Sequence, residues 1–176
     1  MCSGSDSSFC SGTFTRKTCA AYLGAREICL VGGAALCLAY QARAATKDLD
    51  GVFEPAQTVR DAAAAVAERL SLPEDWLNDA VKGFLPSTPQ SKNVVFSTDY
   101  LSVWVPAPEY LLAMKVVSSR VGTRDVDDIR FLANLLGLTT AKEVLEATRM
   151  FFGENIIPQK SIYVVEEVFD PADDPS

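Results

Sequence analysis

The chain has 176 residues, of which 48% are hydrophobic and 22% charged, with a net charge of −7, five cysteines and no histidine. That length fits one domain with a packed core, and the composition excludes the disordered class. The missing histidine excludes Ser-His-Asp and Cys-His catalysis and every histidine-ligated metal, leaving carboxylate, lysine and oxygen-ligand chemistry.

Met1 to Gly12 is rich in Ser, Gly and Cys and reads as a flexible terminus. Phe14 to Ala25 has a pattern compatible with a short helix. Glu27 to Val31 reads as a buried strand stopped by Gly32-Gly33, and the Ala- and Leu-rich stretch from Ala34 to Ala45 as a helix. Asp48 to Phe53 alternates acidic and apolar residues, as a half-buried strand does, with both carboxylates on one face. Pro55 closes it, and Thr58 to Leu70 follows as an alanine-rich helix. Pro73 with Glu74 and Asp75 has the form of a helix start leading through Trp76 to Phe84.

Pro86 to Asn93 is a polar loop, after which Val94 to Thr98 and Tyr100 to Val105 read as strands. Glu109 to Arg120 and Asp125 to Leu136 are expected helices, the second ended by Gly137. Thr140 to Phe152 is a further helix with a capping box at Thr140 and Glu143. Ile162 to Phe169 fits a late strand or a short helix, and the acidic tail from Asp170 reads as mobile. The pattern predicts an α+β fold, a mixed sheet flanked by helices with a helical C-terminal half, over a single domain from 13 to 169.

Residues 1–47 carry five Lys or Arg against two acids, whereas 48–176 carry eleven against twenty-one. An acidic surface does not suit non-specific nucleic-acid binding, so any polynucleotide contact needs a local basic patch, for which Arg16, Lys17, Arg26, Arg43 and Lys47 are the candidates. Cys2, Cys10, Cys19, Cys29 and Cys37 form no CxxC pair, and Cys29 and Cys37 lie in apolar runs as small hydrophobes. The apolar run from Ile28 to Tyr40 falls short of the roughly 18 to 20 residues needed to span a bilayer. With no signal-peptide pattern, a cytoplasmic protein without a membrane partner is expected.

Two carboxylates at i and i+2 of a strand point the same way with backbones about 7 Å apart, close enough to share divalent cations. Asp48 and Asp50 have that spacing. Upstream, Gly32-Gly33 at a strand-to-helix turn would let backbone N–H groups approach an anion, with the helix N-terminus adding positive potential. The glycine turn, Arg43, Thr46 and Asp48-Leu49-Asp50 together form a phosphate-plus-metal pattern. Alone, each part has a plainer reading: a tight turn that needs glycine, or acids on an exposed strand face.

Val31 to Leu36, then Arg43 to Asp50, resembles the signature of the AbiEii/MenT-type nucleotidyltransferases and their DUF6036 relatives. Tyr110 to Lys115, Arg120, and Arg124 to Ile129 are similar to the second half of that signature. Trp76-Leu77-Asn78-Asp79-Ala80-Val81-Lys82-Gly83-Phe84 resembles the DUF6036 branch, so the likeness spans about residues 27 to 137.

The resemblance implies a minimal polymerase β-like fold in which Gly32 and Gly33 help hold a nucleoside triphosphate and Asp48 and Asp50 ligate Mg²⁺ or Mn²⁺. It also implies that Lys115 neutralises phosphate charge and that Asp128, with Asp125 as second choice, is the acid of the last motif. Arg43, Thr46, Lys47 and Arg120 belong to the nucleotide-binding set. The relatives point to a tRNA 3′ end as acceptor, and to a toxin with a cognate antitoxin. Protein nucleotidylylation and a non-catalytic nucleotide- or partner-binding module are the alternatives. Two departures stand out: Leu101 to Val105 contains no third carboxylate, and Ala34 follows Gly33 where many relatives have serine. Asp79 reads equally as a replacement acid or as a helix-solvating residue. Lys115 also reads as a lysine snorkelling from an apolar helix, Arg124 with Asp125 as a surface ion pair, and Trp76 and Phe84 as core anchors.

Overall fold

The computed structural model describes residues 26–42, 44–46, 48–85, 91–120, 124–153 and 156–169, with only the backbone for Gly83 and Phe84. The expected helix over Phe14–Ala25, both terminal segments, Cys2, Cys10, Cys19, Arg16, Lys17, Arg43 and Lys47 lie outside these residues. The described chain falls into two compact units: the residues up to Gly83 with Lys92–Val105, and Phe84–Ser91 with the residues from Pro106 onward.

The first unit holds the whole sheet. Its elements are β1 (Arg26–Leu30), α1 (Gly32–Tyr40), β2 (Leu49–Glu54), α2 (Ala56–Leu70), β3 (Leu77–Asn78), β4 (Asn93–Ser97) and β5 (Leu101–Val105), with a 3₁₀ turn at Ala80–Phe84. The strand order is β3-β2-β1-β5-β4. β1 runs antiparallel to β2 and parallel to β5, β2 runs parallel to β3, and β4 pairs antiparallel with β5, so the sheet is mixed. The central position of β1 explains its apolar run: Ile28, Cys29 and Leu30 are all buried, as a strand covered on both faces requires. α1 and α2 both pack on β2.

α2 is alanine-rich and amphipathic, burying Val59, Ala63 and Ala67 at helical spacing. The expected helix from Pro73 to Phe84 is not formed. Instead the chain turns at Pro73, where the Trp76 N–H donates to the Pro73 carbonyl at 3.2 Å, and Leu77-Asn78 then pairs with β2. Tertiary pairing overrides the local helical signal there, as propensities alone cannot resist it. The helix after the glycine turn is also shorter than expected, because Gln41 takes the left-handed conformation (φ 51°) and ends it at Tyr40.

The second unit is helical: α3 (Pro108–Ser118), α4 (Asp125–Leu136), α5 (Ala141–Phe152) and α6 (Gln159–Phe169). Pro108 opens α3 and Gly137, at φ 71°, closes α4, the usual placement of each residue. The capping box at Thr140 and Glu143 is present, and α6 resolves the strand-or-helix alternative in favour of helix. α3 packs against α4, α5 and α6, which explains why Leu112, Ala113 and Val116 have no exposure. The α+β class expected from the pattern is the fold observed. Among the described residues no helix is long and apolar enough to cross a membrane.

Candidate functional site

The glycine turn and the acidic strand meet through both backbone and side chain. The N–H of Val31, the residue before α1, donates to the Asp50 carbonyl at 2.9 Å. Gly32 has φ +58°, and a Cβ placed on it would lie 3.4 Å from Asp50 Oδ2. Only glycine takes that conformation without strain, and its bareness leaves the carboxylate against the start of α1. The first N–H groups of a helix have no intrahelical acceptor. Val31 offers no capping side chain and the first turn holds no acid. The arrangement therefore joins anion-attracting N–H groups to a carboxylate edge.

Asp50 is fixed from the other side by Asn78. β2 and β3 pair in register with Asp50 opposite Asn78, and Asn78 Nδ2 donates to Asp50 Oδ1 at 2.9 Å. Gly51, the next residue, has no room for a side chain, because a Cβ would lie 2.8 Å from the Cys29 carbonyl oxygen of β1. That close approach holds β2 tightly against the central strand. Asp48 lies one residue before β2 and is exposed, so the expected pair of strand carboxylates is one strand residue and one flanking residue. Thr46 Oγ1 donates to the Asp48 carbonyl at 3.2 Å and shapes the turn that presents it.

The strip carrying Asn78 is clamped to α2 at two points. Trp76, 7% exposed, donates from Nε1 to the Ala63 carbonyl at 3.0 Å. Asp79 takes Arg60 at 2.6 Å and Lys82 at 3.2 Å. Desolvation is the largest single influence on the Asp79 carboxyl and raises its pKa, yet the hydrogen bonds and charges of Lys82 and Arg60 outweigh it and hold the pKa below the ordinary carboxylate value. Asp79 thus anchors this strip, and Trp76 is a buried anchor. The sequence pattern gives Asn78 no role of its own. The signal that could have found it is an amide two residues after a tryptophan, beside an acidic strand, and it was hidden by the helical pattern of the segment.

The second unit assembles the other candidate residues. Lys115, in the last turn of α3, meets Asp125 Oδ1 at 2.9 Å and Asp128 Oδ2 at 2.8 Å, both in the first turn of α4. Spacing of three residues puts the two acids on one helix face. Negative charge suits a helix N-terminus and positive charge a C-terminus, so each helix end favours its own member. Asp128 is 5% exposed, where an unpaired carboxylate would be costly. Lys115 is therefore an ion-pair partner rather than a snorkelling side chain, and it engages Asp125, the acid for which a surface pair with Arg124 is the plainer alternative in the sequence. Arg120 is exposed just beyond α3. Arg26, a candidate for a basic surface, is only 6% exposed, which removes it from that role.

No group of three or more His, Cys, Asp or Glu side chains is placed to hold a metal among the described residues. The donor set of Asp48 and Asp50 still fits magnesium, which is ordinarily bound by one or two carboxylates with substrate phosphates and waters completing its shell. A family model described as "Nucleotidyltransferase of unknown function (DUF6036)" matches residues 19–155. The chain belongs to the DUF6036 family of nucleotidyltransferases. No curated protein and no solved structure gave a match. As a DUF6036 member, the chain carries a nucleotidyltransferase domain, and transfer of a nucleoside monophosphate is its general activity.

Proposed function

We propose that this protein transfers a nucleoside monophosphate from a nucleoside triphosphate to the 3′ end of a tRNA, in a magnesium-dependent reaction, as the toxin of a toxin–antitoxin pair. The observation that carries the core of this reading is the Asp50 carboxylate held between Asn78 and Gly32 at the uncapped start of α1. The acceptor and the toxin role are supported by the resemblance of the Val31–Leu36 and Arg43–Asp50 motifs to the AbiEii/MenT-type enzymes.

Asp48 and Asp50 would hold the magnesium, and the ion supplies charge neutralisation of the triphosphate and of the departing pyrophosphate. The Gly32-Gly33 turn offers N–H groups to phosphate oxygens, and the φ of Gly32 keeps that approach open. Arg43 and Lys47 stand just before Asp48 in the sequence and add positive charge to the acidic motif. In the transfer, the acceptor hydroxyl oxygen bonds to the α-phosphorus and loses its proton to solvent, the bond from that phosphorus to the bridging oxygen breaks, and pyrophosphate leaves. The protein contributes chiefly position and electrostatics. The resemblance of the Tyr110–Lys115 and Arg124–Ile129 motifs supports a part for Lys115, Asp125, Asp128 and Arg120 in the transfer.

The test is incubation of the purified protein with Mg²⁺, each α-labelled nucleoside triphosphate in turn, and either total tRNA or total cell protein. Label on tRNA with wild type and none with Asp48→Ala/Asp50→Ala is the expected result. Label on protein instead would replace the acceptor, and no label with any nucleotide would overturn the reading.

A further inference from the structure

We infer that Asn78 is a positioning residue for the metal–nucleotide site: it ties up one oxygen of Asp50 so that the other is presented toward α1. The inference rests on the nucleotidyltransferase reading above and deepens it.

Asn78 is itself oriented. The backbone N–H of Ala80 donates to Asn78 Oδ1 at 3.3 Å. A backbone N–H can only donate, so the amide oxygen must face it and the amide NH₂ must face Asp50, which fixes the flip of the side chain. The NH₂ then meets Asp50 Oδ1 at 2.9 Å, while Asp50 Oδ2 is the atom nearest the bare face of Gly32. The two carboxylate oxygens thus have different surroundings, one bound to the protein and one beside the helix start.

A two-residue strand would not hold such a geometry alone. Its register is fixed by the Leu49 N–H, which donates to the Trp76 carbonyl at 2.8 Å. The Trp76 indole on Ala63 and the Asp79 carboxylate on Arg60 secure residues on both sides of Leu77-Asn78 to one turn of α2. Asn78 is the polar side chain of that clamped strip which turns to the acidic strand instead of to α2. A neutral donor is also the group the position calls for. It aims a carboxylate without adding the repulsion of a second negative charge, and outer partners of metal ligands of this kind typically change affinity by about 10- to 100-fold when removed.

The test compares Mn²⁺ binding, by calorimetry on the full chain without nucleotide and with a non-hydrolysable triphosphate, for wild type, Asp50→Ala and Asn78→Ala. Thermal unfolding without metal serves as the fold control. The expected result is loss of Mn²⁺ binding in Asp50→Ala and about 10- to 100-fold weaker binding in Asn78→Ala with an unchanged fold. Binding lost in Asp50→Ala but within twofold of wild type in Asn78→Ala would overturn the inference and leave the nucleotidyltransferase reading standing. Wild type that fails to bind, or Asp50→Ala that binds normally, would overturn the placement of the metal and the inference with it. Should Asn78→Ala fail to fold, wild-type protein provides the measurement: the Asn78 side-chain amide signals should move on Mg²⁺ titration with the midpoint of binding, and signals that stay in place would overturn the inference.

Discussion

Gly32 and Asp50 face each other across the junction of α1 and β2, with the Asp50 Oδ2 atom 3.4 Å from where a Gly32 side chain would begin. An alanine there must adopt a left-handed backbone, which costs about 1 to 2 kcal/mol, or roughly 2 to 8 °C of Tm in a chain of this size. Gly32→Ala should therefore be modestly less stable yet lose most of its triphosphate affinity, because the methyl occupies the approach to the N–H groups. Calorimetric binding beside thermal unfolding separates the two effects; full affinity in the variant would contradict the assignment of the turn.

Lys115 and the two carboxylates it meets, Asp125 and Asp128, are each at least four-fifths buried. Lys115→Ala removes the ammonium that two largely buried carboxylates share and should destabilise the protein by about 3 to 5 kcal/mol. Adding Asp125→Asn to that variant should recover part of the loss, since it removes the repulsion between the two neighbouring carboxylates. Denaturant unfolding of the single and double variants checks this, and equal stability of wild type and Lys115→Ala would show the pairing to be worth nothing.

The depressed pKa of Asp79 has a definite sign in stability. Its contribution is fully present above the ordinary carboxylate value of 3.8 and is lost as pH falls through the lower folded value. Wild type should thus exceed Asp79→Asn in stability at pH 6, and the gap should narrow steadily below about pH 4. Unfolding midpoints measured from pH 6 to pH 2.5 supply the comparison. A gap that widens toward acid would reverse the sign.

Cys29 sits on the central strand, and burial, with a smaller push from Glu27 that Lys92 opposes, raises its thiol pKa to about 12. Its thiol is buried, as is that of Cys37, and neither forms a disulfide. Both should resist alkylation at pH 8 in the native protein and react once it is unfolded, because the thiolate is the reactive form. Peptide mapping after iodoacetamide treatment reads this directly; rapid native labelling of Cys29 would contradict the burial.

What the sequence made legible follows the range of each signal. The strand at Glu27–Val31, the alanine-rich helix, the Asp125–Leu136 helix with Gly137 at its end, and the Thr140–Glu143 capping box are all written in neighbouring residues, and they appear where the pattern put them. Trp76 to Phe84 has helical spacing, yet the pull that decides it comes from Ala63, Arg60 and Leu49, at least 16 positions away for Arg60 and 27 for Leu49 along the chain. The candidate site divides in the same way. Asp50 beside a glycine turn could be read from spacing, and so could the shared face of Asp125 and Asp128. The Asn78 donor and the pairing of Lys115 with both acids could not, because they depend on which elements come to lie side by side.

The role of Asp50 in nucleotidyl transfer is read most directly from pyrophosphate release from nucleoside triphosphate by wild type and Asp50→Asn, with Mg²⁺ and total tRNA present. Wild type should form pyrophosphate in step with acceptor labelling, and Asp50→Asn should do so at a rate lower by about 100-fold or more, the scale of losing a transition-state charge contact. Release at the wild-type rate in the variant, or no release by wild type with any nucleotide, would contradict that role.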